Sequence, residues 1–404
     1  MSDNQPAILA SFINRRTGQR IEKFPLLSRI SINKDIRQLC DSFDFEIAFR
    51  VSEKIDLHSH DFVEFYILLD GNKFQVCCGY LEDFVKETSS NSHTFKANGR
   101  DFLGQLFSVP FLIAKPLETT TLPQFVESIL GQTYTVDKGA QQDTYLSEYL
   151  RIKNVPRKVL DLGAYKGPVN IPELSDAKIA PVLQATADEV FTTVYQNRHG
   201  QVVLFGRDHE GEILTNNQNG DLTLDKSRNP NDNDTGLILH ELADINTMKF
   251  TLRENFSKVY SQVKIFYTGG EGFIGYKNTP SREIFNSEKK ARQIFQPEIR
   301  SFQTQSLITR AGSLITVSDL KDQQAASIIR KSNQNLTQVV VRTSRPYFIK
   351  PDGSKIPYEV NQIWHIKADS FSVNEKMRLV GIGYTYDSSS MDVQLMFIGR
   401  DTLT

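Results

Sequence analysis

FVEFYILLDGNKFQVCCGY, residues 62–80, is two runs rich in aromatic and aliphatic residues set around Asp70-Gly71-Asn72. Asp, Gly and Asn tolerate the positive φ of tight hairpin turns, so the spacing predicts an antiparallel hairpin with strands at 62–69 and 73–80. The same period recurs on either side. Upstream, DSFDFEIAF (41–49) alternates Phe43, Phe45, Ile47 and Phe49 with Ser42, Asp44, Glu46 and Ala48, as a half-buried strand does. Downstream, 92–97 is strand-like and ends at Gly99-Arg100-Asp101, and 102–107 predicts a short helical turn. From residue 25 to about 107 the chain therefore reads as an antiparallel sheet or barrel.

The period then changes. Thr121 as a cap, Pro123 in the first turn and a stripe of Leu122, Phe125, Val126, Ile129 and Leu130 predict a helix closed by Gly131. Thr186-x-x-Glu189 has capping-box form; with Val190, Phe191, Val194 and Tyr195 as its apolar stripe and Gly200 as the stop, it predicts a second helix. Residues 201–205 return as a strand, and polar loops at 216–220 and 227–236 follow. After residue 244 strands dominate again, at 248–252, 259–268, 338–343, 347–350, 363–368, 377–387 and 391–398, with a turn at Pro351-Asp352-Gly353. One helix interrupts them, capped by Ser318 and carrying Leu320, Ala325, Ile328 and Ile329. The expected fold class is mainly β with an α+β insertion. Two antiparallel β-barrel-like domains, 1–112 and 246–404, flank a mixed α/β domain, 113–245, and the inserted helix lies near 318–335 of the second barrel.

Composition bounds the function. The 404 residues fit between two and three domains at roughly 150 residues each, and 39% hydrophobic with 24% charged residues excludes wholesale disorder or a disulfide scaffold. Lys plus Arg is 47 against 48 for Asp plus Glu, a net charge of −1. Stable nucleic-acid binding needs clustered excess cations and is not expected. No apolar run approaches the roughly 18 residues that span a bilayer, and MSDNQPAILASF at the start lacks a secretory pattern, so neither membrane insertion nor export by that route is expected. Cys40, Cys77 and Cys78 are an odd count; the vicinal pair lies in a strand, where neighbours face opposite ways, and reads as buried free thiols.

Candidate chemistry is sparse. Gly270-x-Gly272-x-x-Gly275 follows a strand, but a dinucleotide fingerprint needs a helix directly after it, and Pro280 denies one. His58 and His60 could share a strand face as metal ligands do, yet they stand in a polar stretch with no second His or Cys cluster. Asn231, Asn233, Thr235 and Gly236 imitate a calcium loop until Leu242 occupies the position of the bidentate carboxylate. His240-Glu241 opens a zinc-protease string that ends in Asp244 instead of histidine. No catalytic, cofactor-binding or metal-ligating residue is assigned, and no enzyme activity or cofactor is expected.

Taken together, DSFDFEIAF (41–49), the hairpin at Asp70-Gly71, FKANGRDFLGQLF (95–107), the helix and strand of 325–343, the strand around Trp364 and MRLVGIGYTYDSSSMDVQLMFIGRDTL (377–403) resemble the baseplate hub proteins of contractile-tailed, Mu-like bacteriophages. The resemblance extends to the N-terminal part of type VI secretion spike proteins. It implies a homotrimer whose two barrel-like domains per subunit form a ring of six similar modules, adapting a sixfold tail tube to a threefold spike around a channel for DNA. It further implies a separate spike protein, tube and other baseplate proteins as partners, assembly in the host cytoplasm and residence in the virion tail. The alternatives from other classes are a β-rich baseplate-associated glycan hydrolase and a receptor-binding protein.

Overall fold

The computed structural model describes residues 7–14, 18–21, 27–49, 57–69, 71–88, 93–108, 121–131, 135–138, 141–144, 159–162, 169, 178–190, 192–206, 213–216, 222–225, 240–243, 249–255, 259–268, 282–285, 297–303, 328–329, 337–349, 353, 355–387 and 390–399. The first part of the chain forms β1 (Ala7–Ile13), β2 (Arg20–Ile21), β3 (Leu27–Asp35), β4 (Ser42–Phe49), β5 (Phe62–Leu69), β6 (Asn72–Thr88) and β7 (His93–Arg100), then the short helix α1 (Phe102–Gln105). The middle part carries α2 (Leu122–Gly131), β8 (Thr135–Lys138), β9 (Gln141–Thr144), β10 (Val159–Leu162), α3 (Ile179–Glu189), β11 (Thr192–Gln196), β12 (Val202–Gly206), β13 (Ile213–Asn216), β14 (Leu222–Asp225) and β15 (His240–Ala243). The last part comprises β16 (Lys249–Glu254), β17 (Gln262–Thr268), β18 (Arg282–Phe285), β19 (Pro297–Gln303), β20 (Thr337–Thr343), β21 (Tyr347–Ile349), β22 (Lys355–Pro357), β23 (Ile363–Ala368), β24 (Val373–Asp387) and β25 (Met391–Gly399).

The expected hairpin is present: β5 pairs β6 antiparallel, and Gly71 turns the chain with φ +81°. Gly353 likewise holds φ +83° at the second expected turn. Strand β6 is longer than the sequence suggests. Its first part pairs β5, a bulge falls between Leu81 and Asp83, and its second part pairs β7. Such a bulge bends and twists a strand, so one strand can serve two neighbours in succession. Strand β24 bends likewise: it pairs β25 on both sides of a bulge between Leu379 and Gly381, while its other side pairs β23 before the bulge and β3 after it.

These two bent strands organise a single 13-stranded sheet. Its order is β16-β20-β25-β24-β3-β4-β7-β6-β5-β1-β2, with β23 on β24 and β15 on β23. Two runs of six strands follow one plan: β3-β4-β7-β6-β5-β1 in the first half and β16-β20-β25-β24-β23-β15 in the second. They differ at the last position, where β1 is antiparallel to β5 but β15 is parallel to β23. The halves are joined by β3 and β24, antiparallel in the register Asp35–Gly381 to Arg29–Asp387. Two barrel-like domains were expected; among the described residues the strand path is one open sheet and not a closed barrel, because β3 is taken up between β4 and β24.

One continuous apolar core lies under both halves. In the first, the Phe43 and Phe45 rings pack on Phe65 at 5.1 and 5.7 Å between centroids. In the second, Trp364 meets Phe348 at 5.0 Å and Tyr358 at 5.6 Å. A second core joins α1, α2, α3, β11 and β12 to the back of β6. Here β12 lies between β10 and β11, parallel to the former and antiparallel to the latter.

Helix α2 starts where expected, with Thr121 and Gln124 exchanging a capping pair: Thr121 N donates to Gln124 Oε1 and Gln124 N to Thr121 Oγ1. The helix expected from Thr186 onward is corrected. Thr186 and Glu189 lie at the end of α3, and Thr192, Thr193, Val194, Tyr195 and Gln196 form β11, every one of them buried. Two-sided burial and β-branched side chains favour a strand there. Of the helix expected near 318–335, only 328–329 is described; it is helical, with Ile329 buried. The glycine string at 270–275 and the calcium-like loop at 231–236 lie outside the described residues.

Candidate functional site

Of the residues weighed as possible reactive groups, the described ones make the following contacts. His58 and His60 sit in a turn held by Asp61, whose carboxylate accepts from the His58 N–H at 2.9 Å. His60, at φ +69°, donates its N–H to Leu81 O, and Leu81 N–H returns to Asp61 O. Among the described residues no group of three His, Cys, Asp or Glu side chains could hold a metal ion. His240 and Glu241 lie in β15, along the β23 edge. Cys77 and Cys78 are free thiols facing opposite ways, Cys77 into the large core and Cys78 into the second. Burial raises both thiols far above the usual range and Cys40 to about 11, so none is a ready nucleophile near neutral pH.

What the fold does assemble is a buried polar seam where the two halves and the middle part meet. Gly99-Arg100-Asp101 supplies one end of it, each residue with a separate task. A Cβ at Gly99 would collide with the Tyr80 carbonyl and the Phe43 ring, so only glycine admits Phe43 at that point. Arg100 clamps Glu82, the residue at the β6 bulge, at 2.7 Å. Asp101 caps α1 by accepting from Gly104 N–H at 2.9 Å, and its other oxygen accepts from Asp41 N–H at 3.0 Å. The Asp41 side chain accepts in turn from Asp35 N–H.

The centre of the seam is Lys34, fully buried on β3. Its ammonium donates to Glu359 Oε1 at 3.1 Å and to Val76 O at 3.3 Å, while Glu359 Oε2 lies 3.8 Å from Arg198 Nε of the middle part. Beside it Asn361 takes φ +74°, a conformation asparagine tolerates better than most residues. Asn361 Oδ1 accepts from Arg378 at 2.5 Å and its Nδ2 donates to the Tyr195 hydroxyl at 3.3 Å. The Arg378 guanidinium also covers the Phe205 ring, 4.9 Å from its centre. Gln196 completes the contact, donating to Cys78 O and accepting from Phe102 N–H.

The electrostatics are those of a fixed joint. Burial works against the Lys34 charge, yet the Glu359 and Asp41 carboxylates outweigh it and hold the ammonium protonated. Burial pushes Asp41 up to about 7 despite the pull of Lys34, with Glu359 adding to the rise. Asp101 is raised too, by burial and then by Asp41. Asp41, Cys78, Gly99, Arg100, Asp101, Tyr195 and Arg378 were read only as parts of strands, turns or quoted segments; their meeting with Lys34, Arg198, Glu359 and Asn361 in one seam was missed in the sequence. One signal was available: Ile30, Ile32 and Lys34 follow the inward series of β3, and a lysine in an inward position demands a buried partner.

No family model matches the chain, and no curated protein matches it. Solved structures do. A 43 kDa tail protein of prophage MuSo2 from Shewanella oneidensis superimposes with a TM-score of 0.66 at 12% identity, covering 98% of this chain and 99% of that one. A tail protein from Neisseria meningitidis MC58 gives 0.66 at 14% identity, with 99% and 98% covered. A Francisella PdpA-VgrG complex gives 0.50 at 9% identity over 97% of this chain and 52% of the longer one. The hub-like resemblance of the quoted segments is thus met by structure neighbours among prophage tail proteins and a VgrG complex, and the chain has the fold of those tail proteins along nearly its whole length.

Proposed function

We propose that the protein is a structural baseplate hub of a contractile tail, without enzymatic activity: a homotrimeric ring that adapts a sixfold tube to a threefold spike and leaves a channel for DNA. The observation that carries this reading is the doubled strand plan. One chain holds two six-strand units of matching order in a continuous sheet, so three chains would offer six similar units on one side and threefold symmetry on the other. The three-part organisation at 1–112, 113–245 and 246–404 belongs to the same reading, with the seam around Lys34 fixing the relative placement of the parts. The Mu-like tail protein fold and the likeness to a VgrG complex support a place in the virion tail and a separate spike protein as partner. The near-zero net charge suits a channel through which DNA slides without stable binding.

Native mass by light scattering tests it. The expected particle has three times the 46.0 kDa chain mass and shows a threefold ring with a central hole in image averages. A chain that stays single, alone and with spike and tube proteins present, would refute the reading.

A further inference from the structure

The doubled plan also specifies which edges would meet between copies. Aligning the halves on their bulges places Leu81 on Leu379 and Asp83 on Gly381. The pairings then place β4 on β20, with Phe43 on Val339 and Phe45 on Val341, and β3 on β16, with Ile30 on Phe250 and Ile32 on Leu252. Inward-facing residues coincide with inward-facing residues throughout. In the second half the part of β24 beyond the bulge pairs β3 on its side opposite β25. In the first half the equivalent part of β6, residues 82–88, pairs β7, and among the described residues its opposite side carries no strand. Strand β16, the equivalent of β3, pairs β20 and also carries no strand on its other side among the described residues. Each half thus has one edge whose counterpart is used inside the chain.

We propose that β16 of one copy pairs antiparallel with residues 82–88 of β6 in the next copy, repeating between chains the joint that β3 and β24 make within one. This rests on the ring reading above and names its interface. Carried over from the internal joint, the register sets Phe84 opposite Glu254, Val85 opposite Arg253, Lys86 opposite Leu252, Glu87 opposite Thr251 and Thr88 opposite Phe250. A contact of this kind joins different surfaces of the two copies, so it closes into a ring or propagates.

Burial and charge support the choice of occupant. Ile30, Ile32 and Tyr384 are fully buried at the internal joint, whereas Phe250, Leu252 and Phe84 at the two open edges are only half-buried and Val85 is 50% exposed. A partner strand would cover them. On the outward face Asp83 and Glu87 would lie diagonally across from Arg253 and Lys249, and on the inward face Lys86 would lie diagonally across from Glu254. Opposite charges on facing strands favour one register and disfavour its slip by one residue, which would move every side chain to the wrong face. Glu87 already pairs with Lys96 at 3.0 Å on the same outward face and would be shared.

Paired cysteines test the joint. The full-length Val85→Cys/Arg253→Cys variant, oxidised after assembly, is expected to give disulfide-linked species up to three chains. The off-face control Val85→Cys/Leu252→Cys is expected to give none above the background of the native thiols. Light scattering on the reduced samples is run alongside. Three-chain particles without the 85–253 link, or with equal linking in the control, overturn the proposed joint and leave the ring reading standing. A single 46.0 kDa chain under all conditions, spike and tube proteins included, overturns both. As a second arm, Lys249→Glu/Arg253→Glu alone is expected to raise the concentration needed for assembly at least about tenfold. Adding Asp83→Lys/Glu87→Lys is expected to restore it, and failure of that rescue also counts against the joint.

Discussion

The two halves of the sheet solve one packing problem in opposite ways. Where β4 meets β7, Phe43 lies across from Gly99; at the equivalent point of β20 and β25, Val339 lies across from Phe397. The large ring comes from one strand in the first half and from its neighbour in the second. What recurs is a phenyl ring at that place, not the strand that supplies it, which is how two units of one plan can share so little sequence. The same comparison separates joint from edge. Ile30 and Ile32 are sealed because β24 covers them, while Phe250 and Leu252 hold the equivalent places half-buried.

The sharpest way to break this comparison is to fill the small side of the first half. Gly99→Val puts a branched side chain into the Tyr80 carbonyl and the Phe43 ring and is expected to cost about 4 kcal/mol or more, measured by urea unfolding. Combining it with Phe43→Val, which imitates the smaller residue of the second half, should recover part of that loss; no recovery would mean the two places are not equivalent. Next in size, Lys34→Met strands Glu359 in the seam and is expected to cost about 3 kcal/mol, whereas Lys34→Met/Glu359→Met should cost clearly less. Asn361→Ala removes the bonds to Arg378 and Tyr195 at a positive φ and is expected to cost about 2 kcal/mol.

The seam also sets a pH dependence. Asp41 titrates at about 7 in the fold against 3.8 ordinarily, so between those values the native state holds a proton that the unfolded chain has lost. Stability from this group therefore falls as pH rises from about 4 to 7 and levels off above. Asp41→Asn, which keeps the acceptor for Asp35 N–H, should flatten the slope of unfolding free energy over that window; an unchanged slope would remove Asp41 as its source. The smallest effect is expected at the open edge. Arg253→Ala should shift the stability of the unassembled chain by less than about 0.5 kcal/mol, and a larger loss would show that the edge is already engaged within the chain.

Strands with one wet face were legible, because Phe43, Phe45 and Ile47 alternate with Ser42, Asp44 and Glu46. Strands buried on both faces were legible only in part: β5 and β12 were read from their apolar runs, β1 and β11 were not. β1, AILASFI, gave no period to read, and Ile8, Ala10, Ser11, Phe12 and Ile13 are all buried. β11 was mistaken for helix on the strength of Thr186-x-x-Glu189, a local pattern blind to the sheet that claims the next residues. The seam depends on partners such as Lys34 and Glu359, 325 positions apart. No local spacing encodes such a pair, although an inward lysine announces that it must exist. The joint of β3 with β24 escaped for the same reason, and with it the openness of the sheet.

That joint has a mechanical meaning. Its backbone hydrogen bonds run across the strands, from Arg29–Asp387 to Asp35–Gly381. A force drawing the halves past one another along the strands loads all of those bonds together, whereas a force peeling one strand end away loads them one after another. The molecule is therefore stiff against sliding and weak against peeling, and under load the direction of pull, more than its size, would decide whether the two halves stay together.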